Sequence, residues 1–257
     1  MKTIAPIYVL FFMIIFFSCE KKNEKKLIFH QDFNSENLDT KFWSYDLGNG
    51  CPNLCGWGNN ERQLYTKENV SLKDGNLVIK ATKKDSSYFS GKIHTKSKFE
   101  FTYGTIEVKA KLPKGHGLWP AIWMLGYDID KNTWPACGEI DIMEYVGKEP
   151  STIYNSLHNS SSYGNTINSK KTTIDHIEEG FHVYKTKWTK ESIVFYIDDE
   201  EVYTYAPNKK DEKNWPYDKP FYLILNLAIG GNFGGPEVDD TIFPQEFIID
   251  DIKIYAN

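Results

Sequence analysis

Short segments in which apolar and polar residues alternate recur along almost the whole chain, and this pattern constrains the fold more than any other feature. Alternation with a period of two places the apolar side chains on one face of a β-strand. The clearest segments have the apolar positions Leu77-Ile79-Ala81, Ile106-Val108-Ala110-Leu112, Ile193-Phe195-Ile197 and Ile252-Ile254. Turn-forming residues separate the segments, and no long stretch has a convincing helical period. The sequence therefore predicts an all-β sandwich or barrel of antiparallel strands.

The strand pattern indicates a single folded unit. It begins at Leu27 and continues to the C-terminus without an internal repeat or a Pro/Ser-rich linker. Because one large β-sandwich can use a chain of this length, we predict a single domain over residues 27–257. The polar loops 48–60 and 159–171 are long for a compact sandwich, and loops of this kind commonly shape a binding site.

The N-terminal segment has the composition of an export signal followed by a tether. Lys2 precedes an apolar run at residues 4–17 that is short for a membrane span. Because Cys19 follows directly, the segment resembles a bacterial lipoprotein signal, in which residues 1–18 are removed and Cys19 is lipidated. Residues 19–26 would then tether an exported protein to the cell envelope, at the outer membrane and on an undetermined side. The alternatives are an ordinary signal peptide and an uncleaved anchor.

The charge balance argues against a nucleic-acid partner. The chain has 30 basic and 35 acidic residues, a formal net charge of −5, and Arg62 is its only arginine. Proteins that bind nucleic acids use a basic surface stripe and, commonly, arginine side chains. We therefore expect a neutral or weakly charged partner.

Three cysteines remain beyond the signal segment. Cys51 and Cys55 bracket a short turn and could form a local disulfide, whereas Cys137 could instead pair with one of them. Export permits disulfides, but an odd number leaves at least one thiol free or paired outside the chain. The spacing does not decide the pairing and matches no metal site.

The strongest chemical signal is an acidic row in residues 138–145, Gly-Glu-Ile-Asp-Ile-Met-Glu-Tyr. Glu139 and Asp141 are two residues apart and therefore share one face of a strand. Glu144 would lie on the opposite face of a regular strand, but a β-bulge at Ile142–Met143 would return it to the same face. Since three adjacent carboxylates cannot all ionise easily, at least one pKa must be raised. A glycosidase needs one ionised nucleophile and one protonated acid, and such a row supplies both.

The acidic row has two other interpretations, a calcium site and an exposed strand edge. An exposed edge does not require the apolar neighbours Ile140 and Ile142 or the tryptophans that flank the row in sequence. The residues therefore favour catalysis.

The acidic row resembles the Glu-x-Asp-x-x-Glu signature of glycoside hydrolase family 16, in the bulged form found in laminarinases. Four further segments resemble strands of the same family: SKFEFTYGTIEVKAKL (97–112), GLWPAIWML (117–125), LNLAIGG (225–231) and IDDIKIY (249–255). The resemblance extends over residues 27–257. It implies a concanavalin-like β-jelly-roll sandwich, in which two curved antiparallel sheets pack together and the concave sheet forms a cleft for a polysaccharide.

The resemblance also implies roles for the acidic residues. Glu139 would be the nucleophile and Glu144 the general acid/base of a retaining hydrolase. Asp141 would lie between them and hydrogen-bond whichever carboxyl is protonated. No cofactor is implied for catalysis.

Six residues are candidates for substrate binding. Trp119 and Trp123 are four residues apart in one strand and share a face, where their indoles could stack on sugar rings, although core packing is the alternative. The other four match cleft residues of the family: Asn59, Glu61, His158 and Asn226. The first two of these belong to a Gly-Trp-Gly-Asn-Asn-Glu segment similar to the family's GWGNxE loop.

The chain departs from the family pattern at two places. At Lys92 the family commonly has an arginine, and the point charge of lysine cannot reproduce a guanidinium fork. We therefore expect an altered sugar subsite if this position contacts the substrate. The loop 156–166 also differs from the corresponding loop of many laminarinases, which leaves the product pattern open.

The resemblance implies an endo-acting hydrolase of β-1,3-glucan that could also accept mixed β-1,3/1,4-glucan. The alternatives are a galactanase acting on agar, porphyran or carrageenan, and a non-catalytic glycan-binding jelly roll. A pure binding protein has no use for a costly acidic row, and a single arginine argues against sulfated galactans. We expect the protein to act as a monomer.

Members of the family often bind a structural calcium ion away from the cleft. The matching carboxylate is Asp250, with main-chain oxygens near Gly75 and Asp32 as partners. An oxygen-only site of this kind suits Ca²⁺ and would affect stability but not turnover. The alternative is an ordinary surface aspartate.

Overall fold

The computed structural model describes residues 25–257. The predicted signal 1–18, Cys19 and most of the tether 19–26 therefore lie outside the described residues. The strands are β1 (Leu27–Gln31), β2 (Ser44–Tyr45), β3 (Gln63–Tyr65), β4 (Val70–Lys73), β5 (Asn76–Lys84), β6 (Ser87–Ser90), β7 (Lys92–His94), β8 (Gly104–Lys111), β9 (Leu118–Gly126), β10 (Glu139–Tyr145), β11 (Thr152–His158), β12 (Ser169–Thr173), β13 (His182–Trp188), β14 (Ile193–Ile197), β15 (Glu200–Tyr205), β16 (Phe221–Ile229) and β17 (Gln245–Tyr255). A short 3₁₀ helix (Cys55–Gly58) and one helical turn, α1 (Gly231–Gly234), complete the regular structure of this region.

The strands form two sheets. The ten-stranded sheet has the order β15-β14-β13-β8-β17-β5-β6-β3, with β1 added to β17 and β4 added to β5. The seven-stranded sheet has the order β12-β11-β10-β9-β16-β7-β2. All pairings are antiparallel except β3 with β6, which run parallel. The expected antiparallel sandwich is therefore present, with this single pairing as a departure.

The apolar face of each sheet packs against the other to form the core. The alternating positions Ile79, Val108 and Phe195 have no exposed surface, as the period-two pattern predicts. Ile140 of β10 belongs to the same core cluster and comes from the other sheet. Burial of each such side chain contributes about 1.5–3 kcal/mol to folding. Among residues 25–257, no helix is long and apolar enough to span a membrane.

The loop 48–60 is closed by a disulfide between Cys51 and Cys55, so the local pairing is the one the protein forms. Gly50 in this loop has φ +80°, and a Cβ there would lie 2.1 Å from the carbonyl oxygen of Leu54, so the turn requires glycine. Cys137 is a buried free thiol. Burial raises the pKa of this thiol to about 12, which keeps it protonated and unreactive.

Candidate active site

The strand β10 carries the acidic row and contains the predicted bulge. Asp141 and Met143 pair with consecutive residues of β9, so Ile142 is an extra residue between them. The register between β10 and β11 shifts over the same stretch, between Asp141 and Glu144. This insertion turns Glu144 back to the face that carries Glu139 and Asp141. We call this face of the seven-stranded sheet the cleft face.

His158 of β11 lies beside the first two carboxylates. It pairs across the strands with Glu139. Its Nε2 atom is 3.7 Å from Glu139 Oε1 and 3.1 Å from Asp141 Oδ2. The ligand atoms of the three side chains all lie within 4.8 Å of one another, a spacing that a metal ion could also bridge. The structure therefore brings the predicted histidine into contact with the acidic row.

Glu144 lies beside an aromatic group. The indole Nε1 of Trp119 donates a hydrogen bond to Glu144 Oε1 at 3.0 Å. Phe233 of α1 packs edge-on against Trp119, with ring centroids 5.4 Å apart, and against Tyr154 at 4.9 Å. Because the indole N–H of Trp119 is hydrogen-bonded to the carboxylate of Glu144, this residue is part of the cleft and not of the apolar core.

The acidic row is protonated more readily than ordinary carboxyls. Burial is the largest cause, and it raises the pKa of Asp141 and of Glu144 to about 8. The pKa of Glu139 lies well above its usual value because of burial first and the charge of Asp141 second. The neighbouring His158 acts in the opposite direction at Glu139 and Glu144. At neutral pH the row therefore holds protons, which provides the acid that glycoside cleavage requires.

The remaining predicted binding residues form one hydrogen-bonded chain. Trp123 Nε1 donates to Asn226 Oδ1 at 2.8 Å, and Asn226 Nδ2 donates to the hydroxyl of Tyr65 at 3.1 Å. That hydroxyl donates to Glu61 Oε2 at 3.1 Å, and Asn59 Nδ2 donates to Glu61 Oε1 at 3.3 Å. These hydrogen bonds connect residues from β3, β9, β16 and the loop before β3. Tyr65 is a member that the sequence did not indicate.

Lys92 is built into this region of the cleft face. It is 9% exposed, and its ammonium lies 3.2 Å from Asp46 Oδ2. The same ammonium lies over the rings of Trp57 and Trp123, at 4.2 and 5.3 Å from their centroids. The ammonium of Lys92 therefore interacts with one carboxylate and two indole rings as a single charge. It does not make the paired hydrogen bonds that an arginine guanidinium would make.

Two aromatic residues near the row were not predicted. Trp134 lies in the loop directly before β10, with its ring centroid 5.9 Å from that of His158, and its indole lowers the pKa of Glu139. Trp134 is 41% exposed and packs edge-on against Tyr163, with ring centroids 5.3 Å apart. Tyr163 belongs to the long loop 159–171 that the sequence did single out. In the sequence these two residues are recognisable only as aromatic residues within polar loops, and this feature is too common to predict a binding site.

The residues suggested for calcium lie at one corner of the ten-stranded sheet. Asp32 directly follows β1 and Gly75 directly precedes β5, and both strands pair with β17 close to Asp250. The Asp250 carboxylate is 2.6 Å from the ammonium of Lys109. The backbone placement fits a shared site, but the carboxylate is already paired with a cation.

A β-sandwich that presents partly protonated, buried carboxylates beside tryptophans on one sheet has the fold and the site of a glycoside hydrolase. The sequence profile of the glycosyl hydrolases family 16 matches residues 58–241. The chain therefore belongs to this family, whose members need no cofactor for catalysis.

Known structures confirm the jelly-roll fold. The laminarinase from Flavobacterium sp. UMI-01 is 59% identical and superimposes with a TM-score of 0.88, over 90% of this chain and all of that one. The β-glucanase of Rhodothermus marinus is 36% identical over 92% of this chain and 87% of its own length. The glucan endo-1,3-β-glucosidase A1 of Niallia circulans is 38% identical over 89% of this chain, which spans 37% of that longer relative.

Proposed function

We propose that the protein is a retaining endo-hydrolase of β-1,3-glucan, of the laminarin type, with mixed β-1,3/1,4-glucan as a further substrate. The observation that carries the proposal is the row Glu139, Asp141 and Glu144 on the cleft face of a fold shared with laminarinases. An endo mode fits because β10 has two strands on one side and four on the other. A polysaccharide can therefore extend across the sheet in both directions from the row.

The roles of the carboxyls follow from their surroundings. Glu144 has a pKa of about 8 and is protonated at neutral pH, as a general acid must be. Two neighbours favour the ionised form of Glu139: His158, whose Nε2 lies 3.7 Å from Glu139 Oε1, and the indole of Trp134, both of which lower the pKa of Glu139. Asp141 lies beside Glu139 on the same strand face, and its pKa of about 8 allows it to hold a proton at neutral pH.

The reaction proceeds by two displacements. Glu144 donates its proton to the glycosidic oxygen while a Glu139 oxygen attacks the anomeric carbon, so the glycosidic bond breaks and a glycosyl ester forms. Glu144, now ionised, removes a proton from water, and the resulting hydroxide breaks the ester. The second inversion restores the anomeric configuration, and both carboxyls return to their starting states.

The cleft face offers both kinds of contact that a glucan needs. Trp119 and Trp123 are partly exposed and provide apolar faces for sugar C–H groups. Polar side chains that would meet hydroxyl groups are Asn59, Glu61, His158 and Asn226. Asn59, Glu61 and Asn226 are hydrogen-bonded to neighbouring side chains, and His158 lies 3.1 Å from Asp141, so these residues are held in place before the substrate arrives.

A reducing-sugar assay on laminarin, mixed-linkage glucan, cellulose, agarose and carrageenan tests the function. We expect activity on laminarin, weaker activity on mixed-linkage glucan, internal cleavage by product size, and retention of configuration by NMR of the first products. Activity confined to agarose or carrageenan would instead identify a galactanase. Binding of laminarin without any cleavage would identify a glycan-binding protein.

We also propose a calcium ion at Asp250, Gly75 and Asp32. Because the ammonium of Lys109 occupies the Asp250 carboxylate, the ion would have to displace it. We expect Ca²⁺ to raise the melting temperature and a chelator to reverse the rise, with turnover unchanged. Lys109→Met should enlarge the effect by removing the competitor. A melting temperature that does not respond to Ca²⁺ in either protein would exclude the site.

We further propose that the protein is a monomer, exported and anchored to the cell envelope through Cys19. The support for the anchor is the apolar run after Lys2 that ends directly before this cysteine. Labelled palmitate should enter the wild-type protein but not Cys19→Ser, and the variant should leave the membrane fraction. Equal labelling of both proteins would contradict the proposal, and light scattering measures the oligomeric state.

A further inference from the structure

An asparagine lies in the apolar core directly opposite the bulge that shapes the acidic row. Asn155 of β11 has no exposed surface. The residues two positions away on either side, Ile153 and Leu157, point to the same face and are also fully buried. On the face of this strand that packs against the other sheet, the amide therefore stands between two aliphatic side chains.

A polar side chain in such a place is unfavourable unless it makes hydrogen bonds. The Nδ2 atom of Asn155 donates to the carbonyl oxygen of Ile142 at 2.7 Å. Its Oδ1 atom accepts no hydrogen bond from any other residue between 25 and 257. The bond to Ile142 is therefore the one polar contact that accounts for an amide at this position.

The acceptor is the residue inserted in the bulge. Asp141 pairs with Ser156 and Glu144 with Tyr154, so Asn155 alone faces both Ile142 and Met143. An inserted residue stands outside the regular ladder of backbone hydrogen bonds, and its carbonyl needs another donor. The side chain of Asn155 supplies this donor from the facing strand.

We propose that Asn155 is a positioning residue for the hydrolysis, because its bond to the Ile142 carbonyl sets the bulge that turns Glu144 onto the cleft face. The proposal rests on the proposed function of Glu144 as the general acid/base. Asn155 itself faces the core and touches no substrate. Its effect is confined to the two residues between Asp141 and Glu144, so the nucleophile Glu139, on the other side of Asp141, keeps its position.

Asn155→Leu tests this role, because leucine has the same number and branching of side-chain heavy atoms and lacks the donor. We expect kcat on laminarin to fall about tenfold or more, with KM within about twofold, since a misplacement near 1 Å suffices for such a loss. The control is Asn69→Leu, which removes a second buried asparagine whose Nδ2 donates to the carbonyl oxygen of Lys80 at 2.6 Å, in the other sheet. The control should keep kcat within about twofold.

Azide separates a misplaced acid/base from general damage. An oligo-β-1,3-glucoside with a 2,4-dinitrophenyl leaving group needs no proton in the first step, so Glu139 still forms the glycosyl ester. With Glu144 displaced, water attacks the glycosyl ester slowly because no base removes its proton. Azide needs no base, so it breaks the ester and forms a β-glycosyl azide. We expect azide to accelerate Asn155→Leu several-fold and to leave both wild type and Asn69→Leu unchanged.

The outcomes separate this inference from the proposed function. If wild type cleaves no glucan, the function fails, and a crystal structure of Asn155→Leu still shows whether the pairing of β10 with β11 has changed. An unchanged register, a loss no larger than that of Asn69→Leu, or a loss without azide rescue would each overturn the role of Asn155. If Asn155→Leu does not fold, Asn155→Ala carries the same measurements and the same expectations.

Discussion

Glu139→Gln is expected to abolish turnover of laminarin while leaving the protein folded. The amide has the size of the carboxyl but cannot attack the anomeric carbon, so no glycosyl ester forms. Loss of an essential nucleophile typically lowers turnover by about 10⁴-fold or more. Initial rates on laminarin, measured at equal protein concentration, check the result.

The same variant should be at least as stable as the wild type at pH 8. The pKa of Glu139 is raised in the folded protein, so between an ordinary value of 4.5 and the folded value the unfolded chain loses its proton first. The wild type therefore loses stability as the pH rises through this range. Glutamine does not titrate and avoids that loss, which urea unfolding at pH 4 and pH 8 can measure.

A surface exchange provides the control for Glu139→Gln. Glu246 is paired with Lys80 at 3.4 Å on the outside of the fold, so Glu246→Gln should retain full activity. Turnover of laminarin by Glu139→Gln above about 1% of the wild-type rate would contradict the assignment of the nucleophile.

Glu144→Gln is expected to lower turnover of laminarin by about 10²–10⁴-fold, the usual contribution of a general acid/base. The effect should depend on the leaving group. A dinitrophenyl substrate does not need the proton of Glu144, so its first step should survive and azide should rescue the second. Mass spectrometry and NMR of the β-glycosyl azide product check this expectation.

The pH profile gives a second test of Glu144. Because its pKa is about 8, activity of the wild type on laminarin should decline as the pH rises through 8 and the acid loses its proton. This decline should be absent when Glu144→Gln acts on the dinitrophenyl substrate with azide. Glu139→Gln is the matched comparison, since azide cannot restore its missing ester. An azide product of α configuration from Glu144→Gln would contradict a retaining mechanism.

Local patterns in the sequence were sufficient to predict the fold class. Alternation at Ile79, Val108 and Phe195 places these side chains in the core, because successive side chains of a strand point to opposite faces of the sheet. The parallel pairing of β3 with β6 was not predictable in this way. The alternation of side chains within a strand is the same whether the neighbouring strand runs parallel or antiparallel. The order and direction of strands in a sheet therefore depend on contacts between distant segments.

The acidic row was also predictable, because the spacing of its residues over six positions already required a bulge. Its environment was not. Phe233 reaches Trp119, the hydrogen-bond donor to Glu144, from a helical turn far along the chain, and Lys92 meets Trp57 only when β7 and the loop 48–60 come together. Contacts between segments that are distant in sequence produce no periodic pattern of residues, so the sequence does not predict them.

The chain itself determined which residues alternate, where one extra residue enters a strand, and which carboxyls therefore share a face, since each of these depends on the geometry of a few consecutive residues. The tertiary structure decided the rest: the burial that raises the pKa values of the row, the indole of Trp119 that donates to Glu144, and the amide of Asn155 behind the bulge. Burial and hydrogen bonding of these groups require two sheets and several loops to pack together, and that packing is a property of the whole fold.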